Sequence, residues 1–133
     1  MSGKSRIKAL GEVALRVNDL SVMKRFYQDV IGLEILGEFP RSVFFKVSEG
    51  FGGHTQVLVL FDRSVPVSAD RTTLDHIAFT IAREDYDSEL TRLQALGLTV
   101  ETTTHEWVKW RSIYVHDPEG NEVELVCYDA TVG

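Results

Sequence analysis

Residues 114–125 read YVHDPEGNEVEL and carry the strongest structural signal in the chain. Pro118 presets φ for a tight turn and Gly120 accepts a positive φ, so the sequence predicts a turn between two strands. The run EVEL over 122–125 then alternates acidic and apolar residues. Because alternate residues of a strand share a face, this strand is predicted to bury one face and to present carboxylates on the other.

An internal repeat extends outward from this stretch over the whole chain. Residues 12–17 (EVALRV) match residues 76–81 (HIAFTI) at an offset of 64. Residues 57–61 (VLVLF) match residues 122–126 (EVELV) at an offset of 65. Such self-similarity is typical of a fold built from two copies of one supersecondary unit.

Each half of the repeat is predicted to contain one helix. An apolar stripe over 23–31 predicts a helix that starts at Asp19 or Ser21 and ends at Gly32. A similar stripe over 86–96 predicts the second helix. Strand-like runs occupy the rest of each half, at about 33–37, 42–48 and 56–62, and at about 98–103, 109–116 and 121–128.

These elements predict one α+β domain that spans residues 1–133. It consists of two βαβββ modules, about 8–66 and about 72–130, whose curved mixed sheets form a cup. A chain of 133 residues and 15.0 kDa is long enough to bury a core of its own.

Charge and cysteine content exclude several classes of function. The net charge of -6 opposes binding to nucleic acid, and the apolar runs are far shorter than the roughly 20 residues that cross a bilayer, so no membrane partner is expected. Cys127 is a single cysteine, which rules out an intrachain disulfide, and the N-terminus does not resemble a signal peptide. We therefore expect a cytoplasmic protein.

Alternation along the strands predicts which side chains share the open face of the sheets. The uniformly apolar positions, such as Val13 and Ile77, should pack on the helices. Arg111 falls on that apolar side, where it fits poorly. The opposite face is predicted to carry Glu12, Ala14, Arg16, His76, Ala78, Thr80, Trp110, Ser112, Tyr114, His116, Glu122, Glu124, Val126 and Tyr128.

Three stretches resemble the vicinal oxygen chelate superfamily. They are residues 12–33, which include EVALRVNDL, FY and GL, residues 75–79 (DHIAF), and residues 114–125. The superfamily includes glyoxalase I, extradiol dioxygenases, fosfomycin-resistance proteins, methylmalonyl-CoA epimerase and bleomycin-resistance proteins. The resemblance implies the fold predicted above, a small-molecule substrate and, in many members, a divalent metal ion.

The resemblance also implies where a metal would bind. The four ligand positions of the family fall on Glu12, Val59, His76 and Glu124, and valine cannot ligate a metal. Glu12, His76 and Glu124 would then hold one divalent ion, either Fe, Mn, Zn or Ni. Glu12 stands where His or Gln is commoner in the family, and it could instead pair with Arg16 on the same face.

Further side chains are candidates for chemistry or for substrate binding. Glu124, Tyr114 and His116 are the candidate catalytic residues, with packing as the alternative for the tyrosine. His54, His105 and His116 are otherwise expected to be solvent-exposed, and Trp107, Lys109 and Trp110 are expected to serve packing or dimer contacts. The candidate substrate-binding residues are Arg16, Val59, Trp110 and Tyr128.

The reaction class remains open at this point. Val59 removes one of the two carboxylates that glyoxalase-type isomerisation uses, whereas a three-ligand site agrees with the extradiol dioxygenase pattern, which is the leading expectation. The alternatives are a lyase, isomerase or transferase at the same metal, and a metal-free drug-sequestering protein of the bleomycin-resistance type. Open sheet edges also favour a homodimer, with the metal site contained in one chain or shared by two.

Overall fold

The computed structural model describes residues 8–64, 74 and 76–133. The chain divides into two compact units, Met1–Val67 and Ser68–Gly133. Each unit contains one helical region and one four-stranded mixed sheet, so the predicted pair of βαβββ modules is confirmed. No helix in the described parts of the chain is long and apolar enough to cross a membrane.

The first unit has the sheet order β1-β4-β3-β2, in which β1 runs parallel to β4 and the other neighbours are antiparallel. Its elements are β1 (Glu12–Val17), α1 (Leu20–Arg25), a π-helical segment (Phe26–Ile31), β2 (Glu34–Phe39), β3 (Ser42–Phe51) and β4 (His54–Asp62).

Helix α1 begins where one of the two predicted caps lies. Asp19 Oδ1 accepts the N–H of Val22 at 3.1 Å, so Asp19 and not Ser21 caps the helix. The helix does not continue regularly to Gly32, because the backbone widens to π-helical geometry at Phe26. Gly32 adopts a φ of 89° and closes the last turn onto the carbonyl of Tyr27, as predicted for a terminating glycine.

The second unit repeats this topology with the order β5-β8-β7-β6 and a parallel β5–β8 pair. Its elements are β5 (His76–Thr80), a 3₁₀ turn (Arg83–Asp85), α2 (Tyr86–Ala95), β6 (Glu101–His105), β7 (Trp110–His116) and β8 (Glu122–Tyr128). The strand predicted at 98–103 is displaced, because its pairing with β7 begins only at Glu101 and extends to His105.

Strand register confirms the internal repeat. In the first unit Glu12 lies opposite Val57 and Ala14 lies opposite Val59. In the second unit the equivalent pairs are His76 with Glu122 and Ala78 with Glu124. The two offsets read from the sequence therefore describe equivalent positions in the two sheets.

The predicted turn between β7 and β8 is built around Asp117. Its Oδ1 accepts the N–H groups of Glu119 and Asn121, both at 2.9 Å, and its Oδ2 accepts the Asn121 side-chain amide at 2.8 Å. Gly120 supplies a φ of 87°. This turn fixes the register of the hairpin, which places Tyr114 opposite Glu124.

The predicted assignment of faces holds in both sheets. Val17, Ile77 and Val123 are buried on the helix side. Arg111 also lies on that side, where its Cζ is 5.4 Å from the centroid of the Tyr86 ring. Its Nε donates to Asp129 Oδ2 at 2.9 Å, so the charge at this apolar position is paired.

Asp129 links this cluster to the end of the chain. Its Oδ2 also accepts Arg83 Nε at 2.8 Å, while its Oδ1 accepts the hydroxyl of Thr131 at 2.7 Å and the Thr131 N–H at 3.0 Å. The Thr131 donors, followed by Arg111 and Arg83, hold the pKa of this buried carboxyl well below its usual range.

Candidate functional site

His76 and Glu124 come together on the open face of the second sheet. His76 starts β5 opposite Glu122, and Glu124 lies in the middle of the adjacent β8, two residues further along the parallel ladder. Their side chains meet with His76 Nε2 3.3 Å from Glu124 Oε1. The imidazole is partly exposed, whereas the carboxylate is buried, so the pair presents its histidine to solvent.

Ser112 holds the buried carboxylate in place. Its hydroxyl donates to Glu124 Oε2 at 2.6 Å, and Ser112 itself is fully buried on β7. A hydrogen bond to a charged group is stronger than one between neutral groups, so it orients Glu124 and leaves Oε1 directed at His76. No role for this serine was predicted, although the alternation of β7 already placed it on the open face.

Tyr114 is the next side chain along this face. Its phenol oxygen lies 3.1 Å from Nε2 of His105, which belongs to the edge strand β6. Burial is the main cause that raises the pKa of Tyr114, while Ser112 acts in the opposite direction and Glu124 raises it further. His105 was expected to be solvent-exposed. It is instead half-buried, because β6 extends to this residue.

The His76–Glu124 pair fits a divalent ion in its chemistry and in its spacing. An imidazole nitrogen and a carboxylate oxygen suit a borderline metal such as Zn²⁺, Mn²⁺ or Fe²⁺. Metal–ligand distances of about 2.0–2.2 Å place neighbouring donors about 2.9–3.5 Å apart. The observed 3.3 Å lies within that range. The Ser112 hydrogen bond is the kind of supporting contact that orients a metal ligand.

Glu12, the third predicted ligand, belongs to the first unit, where it is exposed on β1. Glu12 and Arg16 are both among the described residues, and no ion pair joins them. The predicted alternative, in which Glu12 pairs with Arg16, is therefore wrong. The guanidinium of Arg16 instead lies over Phe61, with Cζ 6.0 Å from the ring centroid. Within residues 8–64, 74 and 76–133, no three His, Cys, Asp or Glu side chains form a group that could hold a metal ion. The structure thus brings together two of the three predicted ligands.

Val59 occupies the position in the first sheet that Glu124 occupies in the second. It is fully buried, with 0% of its surface exposed. Phe44 lies opposite Val59, as Tyr114 lies opposite Glu124. The first sheet therefore carries an apolar pair where the second carries two ionisable side chains, Tyr114 and Glu124.

The remaining predicted side chains lie at the margins of the second sheet. His116 is exposed at the end of β7, opposite Glu122. Trp110 and Tyr128 face one another across β7 and β8 and are both exposed. Trp107 is 87% exposed in the turn before β7, so the expected packing of this residue is wrong. Dimer contacts, the other expectation for Trp107, Lys109 and Trp110, stay a prediction. The left-handed backbone of Lys109, with a φ of 60°, ends that turn.

Comparison with known protein families identifies the superfamily of this chain. A sequence model of the Glyoxalase/Bleomycin resistance protein/Dioxygenase superfamily matches residues 9–125. The chain belongs to this superfamily. The match includes β1, β5 and most of β8, and therefore all three predicted ligands.

Three relatives show the range of the superfamily. The metallothiol transferase FosB of Staphylococcus haemolyticus is 26% identical over 120 residues, which cover 90% of this chain and 83% of FosB. A variant of the fosfomycin resistance protein FosX from Listeria monocytogenes, solved with Mn(II) and 1S,2S-dihydroxypropylphosphonic acid, is 25% identical with a TM-score of 0.71 and 93% coverage of both chains. Lactoylglutathione lyase from Agrobacterium tumefaciens is 32% identical, with a TM-score of 0.68 and coverage of 92% of this chain and 96% of the lyase.

Proposed function

We propose that this protein is a metal-dependent enzyme that modifies a small molecule bound through two adjacent oxygens, by transfer of a nucleophile to that molecule. The observation that carries the proposal is the His76–Glu124 pair, 3.3 Å apart, with its buried carboxylate oriented by Ser112. Glu12 is the proposed third ligand, which makes a set of one imidazole and two carboxylates.

The relatives favour transfer over the dioxygenase reaction that the sequence suggested first. FosB is named a metallothiol transferase, and FosX binds Mn(II) together with a phosphonate that carries two adjacent hydroxyls. A substrate of that type offers neighbouring oxygens to one ion. We therefore infer that this chain transfers a thiol or water to a small oxygenated anion.

The chain's own residues have separable roles in such a reaction. A bound divalent ion would act as a Lewis acid that polarises the substrate oxygens. Ser112 fixes Glu124 through its hydrogen bond to Oε2 and leaves Oε1 beside His76. Burial raises the pKa of Tyr114 above its usual range, so its phenol stays protonated and can donate a hydrogen bond to the oxygen released when a C–O bond breaks.

Dioxygenase chemistry is the second candidate, because the fully buried Val59 leaves a site with three ligands, which suits that reaction too. Oxygen consumption with catechol-type diols distinguishes the two reactions. A metal-free sequestering role is the third candidate, and metal content tests it directly.

The decisive experiment measures metal and transfer together. Protein purified without chelator is analysed for metal by mass spectrometry and is then incubated with fosfomycin and either L-cysteine, glutathione or water. We expect about one divalent ion per chain and thiol or water addition that EDTA abolishes. Metal-free protein that stays inactive after Mn²⁺, Fe²⁺, Zn²⁺ or Ni²⁺ is added would contradict the proposal.

A further inference from the structure

The open face of the first sheet carries a row of aromatic rings that have no role in the proposed reaction. We propose that this row binds the ring of an aromatic anion. The row, here called the aromatic face, consists of Phe39, Phe44 and Phe61 together with Arg16. The inference deepens the proposed function by naming a ligand class, and it rests on that function only for the claim that the bound ligand reacts.

The three rings form a continuous edge-to-face series. The centroids of Phe39 and Phe44 are 5.9 Å apart with an interplanar angle of 84°, and those of Phe44 and Phe61 are 6.2 Å apart with an angle of 79°. Phe39 is 57% exposed, while the other two rings are half-buried. Rings packed edge to face leave faces and edges to which a further ring can bind with the same geometry.

Arg16 supplies a positive charge at one end of this row. Its guanidinium lies over Phe61 and is exposed, and it forms no ion pair in the part of the chain that the structure describes. The acidic side chain on its own strand, Glu12, forms no ion pair with it. A stacked guanidinium keeps its planar N–H donors available for a carboxylate or phosphonate.

Two other charged side chains near this row are already paired. Lys46, which shares the open face with Phe44, pairs with Glu49, and Glu38 beside Phe39 pairs with Lys24. Arg16 is thus a positive charge beside these rings that has no ionic partner among the described residues. A ligand that matches this face carries a ring for the phenylalanines and an anionic group for Arg16.

The repeat shows that this face has diverged from its counterpart in the second sheet. Phe44 is equivalent to Tyr114, and Phe61 to Val126, by strand register. Arg16 is equivalent to Thr80 at the offset of 64. Tyrosine and glutamate positions of the second sheet are apolar in the first, so the first face offers apolar contacts where the second offers polar ones.

Isothermal titration of the full chain with phenylphosphonate and methylphosphonate tests this inference. EDTA is present, so binding does not depend on the metal. We expect phenylphosphonate to bind about tenfold more tightly, which corresponds to one added ring contact. Phe61→Leu should remove this preference, and Arg16→Gln should weaken both probes about tenfold. Arg41→Gln, an exposed arginine that pairs with Asp62, is the matched control and should change neither.

Equal affinities for the two probes, or a phenyl preference that survives both Phe61→Leu and Phe44→Leu in folded variants, would overturn the inference. Circular dichroism establishes that the variants are folded. The proposed function is judged separately by the metal content of the same preparations. His76→Ala should lose metal and keep the phenyl preference, so the two ideas can fail independently.

Discussion

His76 Nε2 lies 3.3 Å from Glu124 Oε1, and of the two side chains only the carboxylate is buried. A carboxylate in that position is costly unless a cation or hydrogen-bond donors compensate it. Ser112 and His76 provide part of that compensation in the structure. A divalent ion would provide more, so metal binding and the stability of the second unit should be linked.

The first prediction concerns the ligands themselves. His76→Ala and Glu124→Ala should each abolish metal binding, because each removes a donor from a set of three. Metal content by mass spectrometry and the shift of the melting temperature on adding Mn²⁺ or Zn²⁺ measure the effect. His116→Ala, a histidine at the exposed end of the same sheet, is the control and should bind metal normally. Full occupancy in the first two variants would refute the ligand assignment.

Ser112→Ala should weaken metal binding by about 10–100-fold while the protein stays folded, because it frees Glu124 Oε2 from the hydroxyl that orients it. The repeat supplies a matched control in Ser42, which lies opposite Phe61 as Ser112 lies opposite Val126. Ser42→Ala should leave the affinity unchanged. A competition titration with a chromophoric chelator measures both variants, and equal affinities would contradict the orienting role.

Turnover of glutathione hemithioacetals should be low, even though a lactoylglutathione lyase is among the relatives, because Val59 replaces the second carboxylate that shuttles the proton. The rate of lactoylglutathione formation measures this. Val59→Glu tests whether the first sheet can supply this carboxylate. Ser42 is equivalent to Ser112, so it could orient the new glutamate as Ser112 orients Glu124. The variant should gain activity and lose thermal stability, because the position is fully buried. Wild-type rates comparable to those of a true glyoxalase would show the reasoning to be wrong.

Asp129 should make stability sensitive to acid. Its pKa is lowered in the native state by Thr131, Arg111 and Arg83, so its contribution to stability is present above the ordinary value of 3.8 and is lost as the pH falls below it. Asp129→Asn should lower the melting temperature at pH 7 and make its decline between about pH 4 and pH 2 shallower. Asp62→Asn, which breaks an exposed pair with Arg41, should do neither. An unchanged pH profile in Asp129→Asn would contradict this account.

We also expect a homodimer, because β1, β2, β5 and β6 are edge strands of their sheets. Light scattering at micromolar concentration measures the mass, and a value near 15 kDa would refute the dimer. Mixing Glu12→Ala with His76→Ala chains tests whether sites are shared. Metal binding that reappears in the mixture indicates ligands from two chains, whereas no recovery indicates that each chain holds its own site.

The sequence predicted the elements that depend on local pattern. Alternation assigned the faces of β1, β5 and β8 correctly, and the turn residues located the β7–β8 hairpin. The sequence did not predict the contacts that depend on the exact strand register. Because β6 starts three residues later than predicted and extends to His105, this histidine lies in a strand and contacts Tyr114. The hydrogen bond from Ser112 to Glu124 likewise joins two neighbouring strands diagonally, since Ser112 lies opposite Val126 and not opposite Glu124. Alternation along a strand does not predict such a contact.

The matching register of the two sheets has an evolutionary consequence. A duplicated ancestor would have carried the same side chains at both copies of each position, and the preserved backbone let the copies change independently. Val59 and Glu124, or Phe44 and Tyr114, are then paralogous sites within one gene. Each copy records which substitutions the shared scaffold has already tolerated. Exchanging residues between them is a natural route by which such a chain acquires a new substrate without a new fold.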